Sequence, residues 1–230
     1  MKRIVLSILI VVIGGLAAYH EEVLTIFDSQ QGQAQTDQIG PTTEMKFDGK
    51  HQVISVNNNT PTFSATELSL SNGNWQTFSN IDQLNRVGVA NAMLGKNLMP
   101  NTKREALYVN PSGWKNKKLK DGWLYNRLHL IGFQLTGENN NLRNLMTGTR
   151  SLNTPCMLEY ENIVANYIRK TNHHVRYQVK PIFHGNELVA RGVQLQAQSI
   201  EDNQVAFNVF VFNVEPGVKI NYLTGESVIK

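Results

Sequence analysis

The chain has 230 residues, enough for one domain with a buried core and a short appendage, and its single cysteine, Cys156, excludes an internal disulfide. The formal net charge is +4, and because residues 1–40 contain two basic and four acidic side chains, the remainder carries +6. That excess suits a polyanionic partner, although proteins that never touch nucleic acid are often equally basic.

The N-terminal segment differs in composition from the rest. Met1-Lys2-Arg3 precede an uncharged apolar run, 4–19, which is typical of a secretory signal and slightly shorter than the roughly 20 residues of a membrane-spanning helix. The segment is either a cleaved signal peptide or an uncleaved signal anchor, and the sequence favours both over a buried cytosolic helix. We therefore expect a secreted protein, or one held on the extracellular face of the membrane by its N-terminus. The expected layout is a signal peptide or anchor at 1–27, a flexible linker at 28–45 and one domain at 46–230.

Two apolar segments and one basic segment come next. Val53–Val56 predicts a short strand, and Ile81–Leu94 predicts a half-buried element whose Arg86 is either a phosphate contact or an ordinary structural arginine. Residues 103–121 combine six basic side chains with nearby tryptophans, a mixture that favours single-stranded nucleic acid, whereas a solvated loop explains the charges equally well. The lysines that we assign to nucleic-acid binding are Lys115, Lys117 and Lys118.

A helix is predicted to follow residue 153. Thr154 is expected to cap it and Pro155 to occupy its first position, where a missing N–H costs nothing. Arg169 and Lys170 suit the negative end of the helix dipole, and Asn172 suits the residue that ends it.

Glu161 lies on the apolar stripe of this helix, four residues after Met157 and three before Val164. A carboxylate that faces a core is costly unless it is paired, hydrogen-bonded or next to a metal. Two interpretations remain: Glu161 pairs with a core arginine, or it is a functional acid close to His129.

Four strands are predicted after the helix. Hydrophobic side chains alternate with polar ones, and Gly185-Asn186 marks a hairpin turn. The strands are predicted at Val175–Phe183, Leu188–Ala197, Val205–Val214 and Val218–Tyr222. Strands on both sides of one helix, with hairpin links, predict an α+β fold with a largely antiparallel central sheet.

A set of short motifs occurs in a fixed order around His129. The matching segments are Asn126-Arg127-x-His129-Leu130, Leu135-Thr136-Gly137-Glu138, Asn144-Leu145, Thr147-Gly148-Thr149-Arg150, Asn153 and Glu161. This set resembles the motifs of the ββα-metal DNA/RNA non-specific endonucleases, and among them it most resembles the secreted streptodornase-type DNases. The resemblance implies a ββα-metal finger that carries the active site.

The resemblance also implies the roles of the site residues. His129 is the general base, Asn153 holds a Mg²⁺ ion for which Mn²⁺ can substitute, and Glu161 orients the waters of that ion. Arg127 organises the site or clamps phosphate, and Arg150 contacts nucleic acid. The expected activity is hydrolysis of phosphodiester bonds in DNA, with RNA as a second candidate substrate.

One position departs from the family pattern, which usually has a small residue between the arginine and the histidine. Here Leu128 stands there, and because side chains alternate along a strand, it is expected to point away from His129 into packing. If the backbone needs a small residue, the alternative is a surface nucleic-acid-binding module of the same fold with weak or no cleavage. Weaker alternatives are a Cys156–His129 nucleophile and a zinc site at His173-His174.

Overall fold

The computed structural model describes residues 45–230, so the expected signal segment and almost all of the expected linker lie outside the described residues. Within the described part no helix has the length and apolar character needed to cross a membrane. Its elements, in chain order, are β1 (Val53–Ser55), β2 (Trp75–Phe78), β3 (Ala90–Leu94), β4 (Lys118–Leu119), β5 (Gly122–Trp123), β6 (Tyr125–His129), α1 (Phe133–Thr136), β7 (Leu145–Thr149), α2 (Leu158–Thr171), β8 (Val175–Ile182), β9 (Gly192–Ser199), β10 (Ala206–Phe212), β11 (Val218–Ile220) and β12 (Ser227–Ile229).

Six of these strands form one antiparallel sheet in the order β1-β10-β9-β8-β3-β2. Strand β8 illustrates how side-chain alternation gives the sheet two different faces. On one face, Val175, Tyr177 and Val179 are buried in the core that also contains the apolar stripe of α2. On the other face, Gln178 accepts a hydrogen bond from Gln196 and donates one to Asn91, each at 2.8 Å. The predicted α+β class with a largely antiparallel central sheet is confirmed.

Two predicted element starts were wrong. The strand expected from Leu188 begins at Gly192, because the backbone N–H groups of Leu188 and Val189 donate to the Tyr222 carbonyl instead of a sheet neighbour. The α-helix expected from Thr154 begins at Leu158 and follows a π-helical segment, Leu152–Met157.

The cause of the second error lies at Thr154, which is extended (φ −144°, ψ 119°) and caps nothing. The ring of Pro155 favours this extended backbone, which is also that of a capping residue, but no backbone N–H of the described chain donates to the Thr154 side chain and residues 152–157 form the π-helical segment. The end of the helix was correct: Asn172 adopts the left-handed conformation (φ 60°), and Arg169 and Lys170 lie in the last turn.

A two-stranded antiparallel unit stands apart from the large sheet and leads into the helix. Strands β6 and β7 pair with His129 opposite Leu145 and Tyr125 opposite Thr149. The short helix α1 lies between them, and α2 follows β7. This strand–strand–helix order is the finger that the motif set implied.

Candidate active site

His129 is the last residue of β6, and its ring is buried. The ring atom Nε2 lies 2.8 Å from the backbone oxygen of Asn139. A carbonyl oxygen only accepts, so Nε2 carries the proton in the neutral ring and Nδ1 holds the free electron pair. Burial lowers the pKa of His129 and Arg104 lowers it further, while the Asn139 carbonyl opposes both. The imidazole is therefore neutral near pH 7, with Nδ1 available to accept a proton.

The backbone after His129 is fixed by the side chain of Asn144, which is fully buried. Asn144 Oδ1 accepts from the Ile131 N–H at 2.9 Å, and Nδ2 donates to the Ile131 carbonyl at 3.0 Å. A third bond, from Leu130 N–H to the Asn144 carbonyl, extends the pairing by one residue. Asn144 therefore holds the segment between His129 and Gly132 in one conformation.

Glu161 lies against the other end of that segment. Its carboxylate is so close to Gly132 that a Cβ added there would lie 2.5 Å from Oε2 and 2.6 Å from Oε1. Glu161 is only 9% exposed, and burial raises its pKa to about 7 against the opposing effects of Gln134, Arg104 and the Gly132 amide. In the described chain no basic side chain lies within 4 Å of it, so the predicted pairing with a core arginine is not found. Glu161 is instead a buried acid beside the histidine segment.

Arg104 lies on a loop attached to the site, and the sequence did not assign it a role there. Its charge acts on both His129 and Glu161. The loop that carries it, residues 103–108, is fastened to the turn that holds His129. Glu105 N–H donates to the side-chain oxygen of Asn139 at 3.0 Å. The only sequence signal was its membership of the basic stretch.

Asn153 lies in the π-helical segment before α2. Its Nδ2 donates to Thr154 Oγ1 at 3.3 Å, and among residues 45–230 its Oδ1 accepts no hydrogen bond. A neutral amide oxygen without a protein partner is a suitable ligand for a hard cation such as Mg²⁺.

The residues present fit a divalent ion held mainly through water. Asn153 offers an amide oxygen and Glu161 a carboxylate, and the buried hydroxyl of Tyr177, whose pKa burial and Glu161 both raise, has no partner in the described chain. That part of the chain contains no group of three or more His, Cys, Asp or Glu placed to hold a metal. His173 and His174, considered for zinc, instead pair with Asp202 and Glu201.

Arg127 organises a neighbouring loop. Its Nε donates to the Val109 carbonyl at 2.5 Å, its terminal nitrogen donates to Asn110 Oδ1 at 2.7 Å, and its guanidinium lies 4.6 Å from the centre of the Trp114 ring. Arg86 is likewise structural, because it bonds Asp82 and the Gly185 carbonyl.

The four predicted nucleic-acid cations lie near the other end of β6. Leu124 lies just before β6, about 16 Å along the strand from His129. Its carbonyl oxygen accepts a hydrogen bond from the Arg150 N–H, and its own N–H donates to the Lys117 carbonyl. Lys115 pairs with Glu226, and Lys117 Nζ donates to the Ser227 carbonyl, so both fasten the C-terminal hairpin. Lys118 is exposed on β4, and the Arg150 guanidinium covers Gly122. The structure does not bring these four together with His129.

Leu128 is fully buried in the core, as its strand position predicted. It packs on Gly148 across the β6–β7 pair, where an added Cβ would lie 2.6 Å from Leu128 Cδ1. Leucine therefore fits because Gly148, its diagonal neighbour on β7, has no side chain.

Cys156 is half-buried, and burial raises the pKa of its thiol. A raised pKa keeps the thiol protonated, which disfavours the Cys–His nucleophile.

Comparisons with known proteins agree with this geometry. The family model described as DNA/RNA non-specific endonuclease matches residues 68–201. The fold is similar to NucA from Streptococcus agalactiae, solved with magnesium bound, with a TM-score of 0.69 and 24% identity over 77% of this chain and 88% of that chain. It is also similar to the Sda1 nuclease, solved with zinc bound, with a TM-score of 0.60 and 26% identity over 68% of this chain and 81% of that chain. A third similar structure, an extracellular endonuclease, has a TM-score of 0.57 and 24% identity over 72% of this chain and 91% of that chain.

Proposed function

The chain belongs to the family of DNA/RNA non-specific endonucleases and is a phosphodiester hydrolase, and we propose that it is an exported, Mg²⁺-dependent enzyme that cleaves DNA, with RNA as a second substrate. The observation that carries the proposal is the hydrogen bond from His129 Nε2 to the Asn139 carbonyl. It leaves Nδ1 as the one nitrogen that can accept a proton.

His129 acts as the general base. Nδ1 takes a proton from a water molecule, and the resulting hydroxide attacks phosphorus in line with the bond to the 3′ oxygen, which breaks. The lowered pKa of His129 keeps the ring unprotonated at neutral pH. Arg104 offsets negative charge on the phosphate, and the hydrogen bond that fastens its loop to Asn139, the residue that also bonds His129, supports that role.

Asn153 and Glu161 are the residues that would hold the cofactor, Asn153 directly through Oδ1 and Glu161 through bound water. Mg²⁺ is the ion that an amide oxygen plus water ligands favours, with Mn²⁺ as a substitute. When bound, the ion supplies positive charge to the phosphate and to the departing oxygen. A nearby cation would stabilise the ionised form of Glu161, because its burial makes an uncompensated negative charge costly.

Substrate binding extends away from the reaction centre along β6. Lys118 and Arg150 are proposed to contact the phosphate backbone there, while Lys115 and Lys117 support them by fixing the C-terminal hairpin. Arg127 is proposed to act through the loop that it holds.

Export is proposed from the N-terminal sequence and from the similarity to extracellular nucleases. Residues 1–27 then serve as a signal peptide or as an anchor that engages the membrane, 28–45 as the linker and 46–230 as the catalytic domain. Expressing the full-length gene and locating its product in the medium or in washed membranes separates release from anchoring.

The test of the enzymatic proposal is plasmid nicking by the purified full-length chain with Mg²⁺, with Mn²⁺ and with EDTA. We expect the plasmid to be cleaved with either metal and EDTA to abolish the cleavage. We also expect a linear RNA substrate to be cleaved. DNA binding without cleavage in any metal would instead favour the binding module.

A further inference from the structure

The loop of residues 103–108 is held by its backbone. Besides the bond from Glu105 N–H to Asn139 Oδ1, the Tyr108 N–H donates to Asn140 Oδ1 at 2.9 Å. Asn140 Nδ2 returns a bond to the Ala106 carbonyl at 3.1 Å. Two adjacent asparagines therefore position this loop, and one of them also bonds His129.

The side chains of the loop are left outside. Lys103, Arg104 and Tyr108 are all exposed, and with Glu105 the loop carries a net charge of +1. Tyr108 is 75% exposed, the largest value among the exposed large hydrophobic residues of the described chain. Its ring therefore contributes little to the stability of the fold.

The loop anchors place Tyr108 close to the reaction centre. The Tyr108 N–H is hydrogen-bonded to the side-chain oxygen of Asn140, and the carbonyl oxygen of the preceding residue, Asn139, is hydrogen-bonded to His129 Nε2. The path from the Tyr108 nitrogen to His129 Nε2 therefore runs through the Asn140 side chain and the peptide unit between Asn139 and Asn140. That path is at most about 12 Å long, which corresponds to a few nucleotides of one strand. A base next to the cleaved phosphate therefore lies within reach of the ring.

We propose that Tyr108 is a stacking platform for an unpaired base, so that the preferred substrate is single-stranded or locally unpaired nucleic acid. The inference rests on the proposed function of His129. An exposed ring on an anchored loop that also carries Lys103 and Arg104 is the combination of aromatic surface and cations that binds single strands without sequence preference. In a duplex the base faces are covered by their neighbours, so the ring has less to stack on.

The test uses full-length protein carrying His129→Ala, so that DNA stays intact. Binding of a labelled twelve-nucleotide dT strand, a strand of equal length without bases and a blunt twelve-base-pair duplex is measured at one salt concentration. Added Tyr108→Ala should weaken binding to dT by about 5- to 150-fold. It should change binding to the base-free strand and to the duplex less than about twofold. Tyr108→Phe keeps the ring and is the matched control, expected to bind like the parent.

An equal loss on all three probes, no loss on dT, or a loss that Tyr108→Phe shares overturns the inference. Failure to bind dT at all overturns it as well. Plasmid nicking by the chain with His129 restored is scored separately. Cleavage without the dT-selective loss refutes only the stacking role, whereas absence of cleavage refutes the proposed enzyme.

Discussion

Replacing Gly132 by alanine should damage both stability and catalysis through one collision. The added Cβ would lie 2.5 to 2.6 Å from three atoms of the Glu161 carboxyl group, so either the carboxylate or the backbone after His129 must move. Overpacking of this kind costs about 1–3 kcal/mol. A displacement near 1 Å at the reaction centre lowers the rate by about 100-fold.

The magnitude is tested with urea unfolding followed by tryptophan fluorescence and with initial rates of plasmid nicking in Mg²⁺. Gly88→Ala is a matched control, because its Cβ would lie 2.6 Å from Ser79 Cβ, outside the site. It should lose stability to a similar extent while the refolded enzyme keeps its rate.

A double-mutant cycle identifies the colliding partner. In a Glu161→Ala background the carboxylate is gone, so adding Gly132→Ala should cost less than about 0.5 kcal/mol. If Gly132→Ala destabilises both backgrounds equally, the carboxylate is not what the methyl group meets, and the described contact is refuted.

Three further changes probe the site separately. His129→Ala should lower kcat by about 10²- to 10⁴-fold with DNA affinity unchanged within twofold; a retained rate would exclude His129 as the base. Asn153→Ala should raise the Mg²⁺ concentration needed for half-maximal nicking while the Tm of the metal-free protein changes little, and an unchanged metal response would remove Asn153 from the ligand set. Glu161 has a folded pKa of about 7, above its unfolded value of 4.5, so folding favours its protonated form. Its contribution to stability should fall by about 3 kcal/mol as pH rises from 4.5 to 7 without metal; Glu161→Gln should remove that slope, and an identical slope in both proteins would contradict the raised pKa.

The sequence predicted the parts of the fold that local patterns encode. Alternation along Val175–Val179 predicted β8, and the left-handed end of α2 followed from Asn172 and the basic residues before it. The motif order around His129 predicted the strand–strand–helix unit. These features depend on residues that are neighbours in sequence.

The rest depends on contacts between distant segments. Nothing in the sequence near Arg104 indicates that its loop is hydrogen-bonded to Asn139, which lies 35 residues further along the chain. Likewise, the sequence around Gly132 does not indicate that the Glu161 carboxylate packs against it. Lys117 was assigned to nucleic acid from its charge and the nearby tryptophans, whereas its side chain donates a hydrogen bond to the backbone of Ser227. The start of α2 was missed because the local pattern gave no sign of the π-helical segment at 152–157 that precedes it.

The packing of Leu128 on Gly148 makes these two positions interdependent across sequence change. With leucine at 128, any side chain at 148 meets it at under 3 Å, so position 148 is closed to substitution. With glycine at 128, the same space opens for an alanine at 148, whereas any other residue keeps a Cβ that would lie 2.8 Å from the added methyl group. The order of replacements therefore matters: a leucine at 128 requires a glycine at 148 on the neighbouring strand, and while the leucine is present that glycine cannot be replaced without a collision.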